Sequence, residues 1–142
     1  MTKDGKEPQK FYDKCGGIVN NLILIKTDKG LRFGGISFSP WRSGTYTKEY
    51  KSFCFSLDLK KIYNAIENAF THLIQGLPYI YGKCGGHPDQ MISISYSNNM
   101  IYGKCGIKDN GSFKGQEKDY EINGGYSGFN ILEWEAFEMI WV

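Results

Sequence analysis

Histidine, arginine and proline are scarce in this chain. Its 142 residues hold two histidines, His72 and His87, and among 17 basic residues only Arg32 and Arg42 are arginines. Two histidines leave little material for a nucleophile–base–orienter set. A Ser–His–Asp triad could be built only on His72 or His87, and no G-x-S-x-G elbow occurs. No G-x-x-x-x-G-K-[ST] phosphate loop occurs either. Specific guanine and phosphate recognition leans on the planar fork of arginine, so two arginines and a net charge of +2 do not signal nucleic acid. No apolar run approaches the roughly 20 residues of a membrane helix, and there is no lipidation box, so no membrane insertion is expected. The opening MTKDGKEPQK lacks the apolar centre of a secretory signal. It reads as a flexible leader over 1–10, ahead of one domain over 11–142. The expected compartment is the cytoplasm, with the nucleus as the alternative, and both keep thiols reduced.

Glycine is plentiful where proline is not: 18 against four. That balance points to many tight turns and few stiff linkers, and so to a β-rich domain. A chain of this length buries enough surface to fold without a disulfide or a metal.

Leu22–Phe38 reads as a hairpin, with Asp28-Lys29-Gly30 at its turn. Gly34-Gly35 inside its second run predicts a bulge or a close backbone approach. Ser52–Leu57 alternates, with Phe53, Phe55 and Leu57 on its apolar face and Ser52, Cys54 and Ser56 on the other. Cys54, between two phenylalanines, reads as core. From Asp58 to Gly82 the spacing of Ile62, Ile66, Phe70, Leu73 and Leu77 favours a helix, while KIYNAI and AFTHLI fit two short strands. Met91–Tyr96 is a further strand, and Phe129–Trp141, apolar on both faces, reads as a long buried one. Strands spaced by turns predict a mainly β fold, a two-sheet antiparallel β-sandwich with few short helices.

Three cysteines sit in similar strings, KCGG at Lys14–Gly17 and Lys83–Gly86 and KCG at Lys104–Gly106. A structural repeat would need shared flanks, which are absent. A zinc site has one half-knuckle, Cys84 and His87, without the paired knuckle that such sites use, so no metal is expected. A redox device is the third reading: a lysine beside Cys15, Cys84 and Cys105 could lower a thiol pKa. Three similar turns is the fourth. Glu133, Glu135 and Glu138 include same-face acids, read as a solvated strand edge rather than a catalytic pair.

Several segments then line up in order. These are FYDKCGG, LILIKTDKGLRFGGISFSPW, KSFCFSL, a Gly-Gly near an acid (Gly85, Gly86, Asp89), and FNILEWEAFEMI. Together they resemble the TLDc domain family of oxidation-resistance proteins and membrane-traffic regulators. Gly34 and Gly35 take the family's glycine pair and Trp41 its tryptophan. Ser52, Phe53, Phe55, Ser56 and Leu57 take its SFLFSL positions, with Cys54 for the usual leucine. Glu135 and Phe137 match the closing motif, with Ala136 for the usual valine. The family's N-terminal helical segment has no counterpart in the ten polar residues ahead of the match, and Asp58–Gly82 departs from the pattern.

The resemblance implies a β-sandwich and places strands at Lys60–Ile66 and Ala69–Ile74, against the helical spacing. It implies three similar turns for the cysteine strings. It also implies a regulatory, non-enzymatic protein-interaction domain, linked to protection against oxidative stress and to binding the vacuolar proton pump, with no cofactor. Gly85, Gly86, Asp89, Trp41 and Glu135 are the expected partner-binding residues; the first three lie in the loop Gly82–Asp89, which with the loop Gly103–Gly115 makes up the expected contact elements. Cys15, Cys84 and Cys105 are the redox candidates. The rival is a nucleic-acid-binding or ligand-binding module, such as a stress-responsive transcription regulator, using the lysines and exposed aromatics. A hydrolase built on His72 or His87 is third.

Overall fold

The computed structural model describes residues 8–41, 47–48, 51–65, 69–74, 77–84, 87–98, 100–106 and 113–142, with backbone alone at position 8, over 47–48 and over 69–90. Its organising unit is the hairpin of Asn21–Thr27 (β1) and Arg32–Ser37 (β2). Gly30 adopts φ 76°, a left-handed conformation that glycine reaches without a Cβ penalty. Two bonds close the turn, from Gly30 N to Thr27 O at 3.0 Å and from Thr27 N to Leu31 O at 2.9 Å. Pairing then runs unbroken from Lys26↔Arg32 to Asn21↔Ser37. Gly34-Gly35 is therefore not a bulge. It is the close approach, because a Cβ on Gly34 would overlap the Ile23 carbonyl oxygen.

The remaining strands are Thr47–Lys48 (β3), Phe53–Ser56 (β4), Lys61–Ala65 (β5), Ala69–Ile74 (β6), Leu77–Cys84 (β7), His87–Ser97 (β8), Met100–Cys105 (β9), Phe113–Lys114 (β10) and Gly128–Glu138 (β11). One helix, Pro8–Cys15 (α1), and one 3-10 turn, Glu121–Asn123, complete the described elements. The strands form a single curled antiparallel sheet, a half-barrel, in the order β10-β5-β4-β2-β1-β11-β9-β8-β7-β6-β3. This corrects the two-sheet β-sandwich expected from the sequence. The reason lies in β11. Its first residues, Gly128–Asn130, pair with β9, and Ile131–Glu138 pairs with β1. β9 and β1 lie on opposite edges of β11, so one strand joins two halves that a sandwich would keep apart. Within the stretch paired with β1, a register shift at Lys26/Thr27 leaves Leu132 as an extra residue, a bulge that bends the strand and sharpens its twist.

The stretch with helical spacing is strand. Lys61–Ala65 pairs with β4 and Ala69–Ile74 with β7. Cross-strand pairing overrides the weak local preference. The cysteine strings occupy three different places. The first ends α1, with Gly17 at φ 80° just beyond it. The second closes β7, its Gly85 and Gly86 lying outside the described residues, and the third closes β9.

The core fills the inner side of the curl. Phe11 of α1 is fully buried, stacked on Trp134 with ring centroids 5.0 Å apart and tilted against Trp41 at 5.7 Å. Phe33 meets Phe129 edge-on at 5.1 Å. The helix takes in residues 8–10, the last part of the expected leader, and residues 1–7 lie outside the described set.

Candidate interaction face

Period-2 alternation puts half of each strand on the side away from the core. On β1 the inner row is Ile23 and Ile25, both buried, and the outer row is Leu22 and Leu24, both half-buried. Register carries the outer row across five strands. One line reads Ile62, Phe55, Gly34, Leu24, Glu135, and its neighbour reads Asn64, Phe53, Ile36, Leu22, Phe137. Phe53 and Phe55 are half-buried, with rings 6.4 Å apart. Ile62 is 56% exposed, Leu57 44% and Phe137 43%. Beyond the strand end, Trp141 stacks on Phe38 at 6.1 Å. The result is a contiguous apolar surface on the outside of the sheet.

Register sets which face of β4 points inward. Cys54, Ser52 and Ser56 face inward and are buried, while Phe53, Phe55 and Leu57 face outward. Pairing of Gly35 with Cys54 places the cysteine on the same side as Phe33 and Ile25, and the phenylalanines must follow on the other. The core role expected for Cys54 holds. Burial pushes its thiol pKa well up, with a smaller contribution from Cys105.

A charged rim borders the face at the turn end of β1–β2. Asp58 accepts hydrogen bonds from Arg32 Nη2 at 2.7 Å, Nε at 3.2 Å and backbone N at 2.6 Å. These bonds hold its carboxyl below the ordinary carboxylate range. Lys26 Nζ lies 3.2 Å from Glu133. Both pairs are solvent-exposed and so contribute little stability. Between them Leu24, Lys26, Arg32, Leu57, Glu133 and Glu135 border a cleft of about 160 Å³. Glu135 is exposed on the closing strand that the sequence reads as buried, and makes no ion pair among the described residues. The closing strand itself is buried only through Phe129, Ile131 and Trp134.

The other sequence-derived candidates are scattered. Trp41 is fully buried in the core. Gly85 and Gly86 lie outside the described residues, and Asp89 pairs in backbone register with Gly82 on β7–β8. Cys84 and His87 are register partners at the end of that hairpin, and His72 pairs with Tyr79. Cys15 is half-buried at the end of α1; Cys105 is buried, and that burial pushes its thiol pKa up. A thiol so raised stays protonated at neutral pH, the opposite of an activated thiolate. Among the described residues no three His, Cys, Asp or Glu side chains gather as metal ligands.

The charged cluster that the sequence did not signal is structural. Glu121, buried in the 3-10 turn, accepts from Lys61 Nζ of β5 at 2.7 Å and from the backbone N–H groups of Glu117 and Lys118. Burial works against its ionisation. The bonds from Lys61 and the two backbone groups, with the Lys61 charge, outweigh burial and hold its carboxyl below the ordinary glutamate range. A carboxyl depressed in the folded state contributes stability above its unfolded pKa and loses it as pH falls through its folded one. Glu121→Gln is therefore expected to cost about 1–3 kcal/mol at neutral pH. Urea titrations should show the gap from the parent protein narrowing as pH drops below about 4.3, the ordinary glutamate value.

The geometry defines a class: a β domain that spends a large outer surface on apolar contact and assembles no catalytic set among the described residues. The chain belongs to the TLDc domain family, which matches it over residues 1–140, nearly its whole length. TLDc domains are non-catalytic. No curated protein matches the sequence significantly. A signal for the outer face was present in NLILIK, where neighbouring residues of both parities are apolar, as in strands covered on both sides.

Proposed function

We propose that this chain is a non-enzymatic protein-interaction domain that docks its partner on the outer face of β5, β4, β2, β1 and β11. The observation that carries this reading is the apolar surface of Leu22, Leu24, Phe53, Phe55 and Ile62 around the buried Ile36, which reaches Phe137 at one end. Large exposed apolar patches rimmed by charge mark protein contacts rather than ordinary surface. Membership of the TLDc family supports the same general role. The resemblance to oxidation-resistance proteins makes the vacuolar proton pump the partner to test first, in the cytoplasm, with protection against oxidative stress as the role.

The test is binding of the full chain to purified vacuolar proton pump. Ile62→Lys and Phe137→Lys are exposed changes and are expected to leave the denaturation midpoint nearly unchanged, within about 0.5 kcal/mol. Each is expected to weaken binding about tenfold or more if its side chain sits at the centre of the contact. Undiminished binding by both variants would remove this face as the docking surface.

A further inference from the structure

The proposal that follows rests on the interaction reading above and names how a partner chain is held. Beyond Asn130, β11 has a described neighbour on one side only. Ile131–Glu138 pairs with β1, and β9 reaches no further than Asn130. The ladder phase shows which backbone groups are left over. Met139 N donates to Asn20 O at 2.8 Å, one step beyond the pair Asn21↔Glu138. Antiparallel pairs alternate between hydrogen-bonded and non-hydrogen-bonded. Residues 137, 135 and 133 therefore bond to β1, and the N–H and C=O groups of Trp134, Ala136 and Glu138 point the other way; Trp134 is 1% exposed, so Ala136 and Glu138 are the two that present these groups at the surface. No described strand meets them.

The two ends of the sheet are treated differently. β10 and β3 are two residues each, and each carries a lysine, Lys114 and Lys48. Short, charged edge strands block further pairing. The open side of β11 is longer and runs beside the apolar outer face, with Leu132 and Phe137 exposed along it.

Charge selects the occupant. Glu133, Glu135 and Glu138 lie along this edge, all exposed. Lys26 offsets Glu133, but the β1 residues opposite Glu135 and Glu138 are Leu24 and Asn21. A second copy pairing through the same edge would bring acidic rows together, which is unfavourable. We infer that the accessible end of this edge, Glu135–Glu138, captures an extended segment of a partner protein by strand addition, and that this segment alternates apolar with lysine or arginine residues. Backbone bonds to Ala136 and Glu138 hold the strand. Its lysine or arginine side chains share the outer side with Glu135, and its apolar side chains lie on the opposite side beside Ala136.

The probe is a fluorescent decapeptide alternating valine and lysine, titrated against the full chain. Two controls accompany it, a valine–glutamate version and a valine–lysine version N-methylated on alternate residues. The valine–lysine peptide is expected to bind and to slow amide exchange at Ala136 and Glu138. N-methylation is expected to weaken it about tenfold or more by removing backbone donors. Glu135→Gln is expected to weaken it by about twofold to fivefold, the range of an exposed ion pair. Ala136→Pro removes a donor that faces away from β1, so it spares the β1 ladder and is expected to abolish binding. Should that variant not fold, the N-methyl comparison decides.

Binding that ignores N-methylation, or exchange protection elsewhere, would overturn strand addition. So would self-association of the chain through β11 in sedimentation equilibrium. If the proton pump binds in a manner sensitive to Ile62→Lys while the peptide comparison fails, strand addition falls and face docking stands. The reverse pattern overturns the proposed pump partner and leaves strand addition in place.

Discussion

Trp134→Ala is expected to lower the unfolding free energy by about 3–5 kcal/mol, the cost of removing a large buried aromatic. Trp134 is 1% exposed and lies under Phe11, whose ring it stacks on at 5.0 Å. Phe11 in turn meets Trp41 at 5.7 Å, so the three rings tie α1, the segment after β2, and β11 together. Deleting this ring leaves a cavity beside Phe11 that strands held in register cannot collapse into. Since typical domains have about 5–15 kcal/mol in total, the variant should sit close to its unfolding threshold. The urea midpoint is the readout, and Trp134→Phe, which keeps a ring against Phe11, should fall between the two. A midpoint for Trp134→Ala within error of the parent would mean that the helix does not depend on this stack.

Gly34→Ala is expected to cost about 1–3 kcal/mol although it adds a single methyl group. The added Cβ would overlap the carbonyl oxygen of Ile23 and lie 2.9 Å from the Phe55 ring. The ring can turn, but the carbonyl belongs to β1, which is paired on both sides and cannot withdraw. At Gly30, by contrast, a Cβ would meet nothing within 4 Å, and the constraint is the φ of 76° alone. Comparing Gly34→Ala with Gly30→Ala in the same denaturation experiment separates steric overlap from backbone strain. A neutral Gly34→Ala would show that β1 and β2 can separate more freely than their register suggests.

The hairpin at Leu22–Phe38, the strand after it and the closing strand were legible because turn chemistry and period-2 alternation are local properties. The strands at Lys61–Ala65 and Ala69–Ile74 were legible only through the family order, since their own apolar spacing matches a helix. The candidate face was half legible. Glu135 and Phe137 were singled out and lie on it, and Phe53, Phe55 and Leu57 were read as one apolar face of their strand, with no direction given to it. Alternation shows that a strand has two faces and says nothing about which one is inward. That choice depends on which residues of β1 and β2 sit opposite, and those are set by register. The acids Glu133, Glu135 and Glu138 were read as a solvated strand edge, but which backbone groups of that strand lack a neighbouring strand was not legible, because an unpaired edge is a statement about neighbours.

The sequence by itself determined the β-rich composition, the positions of the tight turns, the scarcity of catalytic side chains and the TLDc order of motifs. Each of these follows from residues near one another in the chain. The tertiary structure decided that the strands form one curled sheet instead of two. It also decided that α1 closes the core through Phe11, that Cys54 faces in while its flanking phenylalanines face out, and that β11 serves both halves of the sheet. The physical reason is that β11 carries β9 on one edge and β1 on the other, and both are long-range pairings that no local pattern encodes.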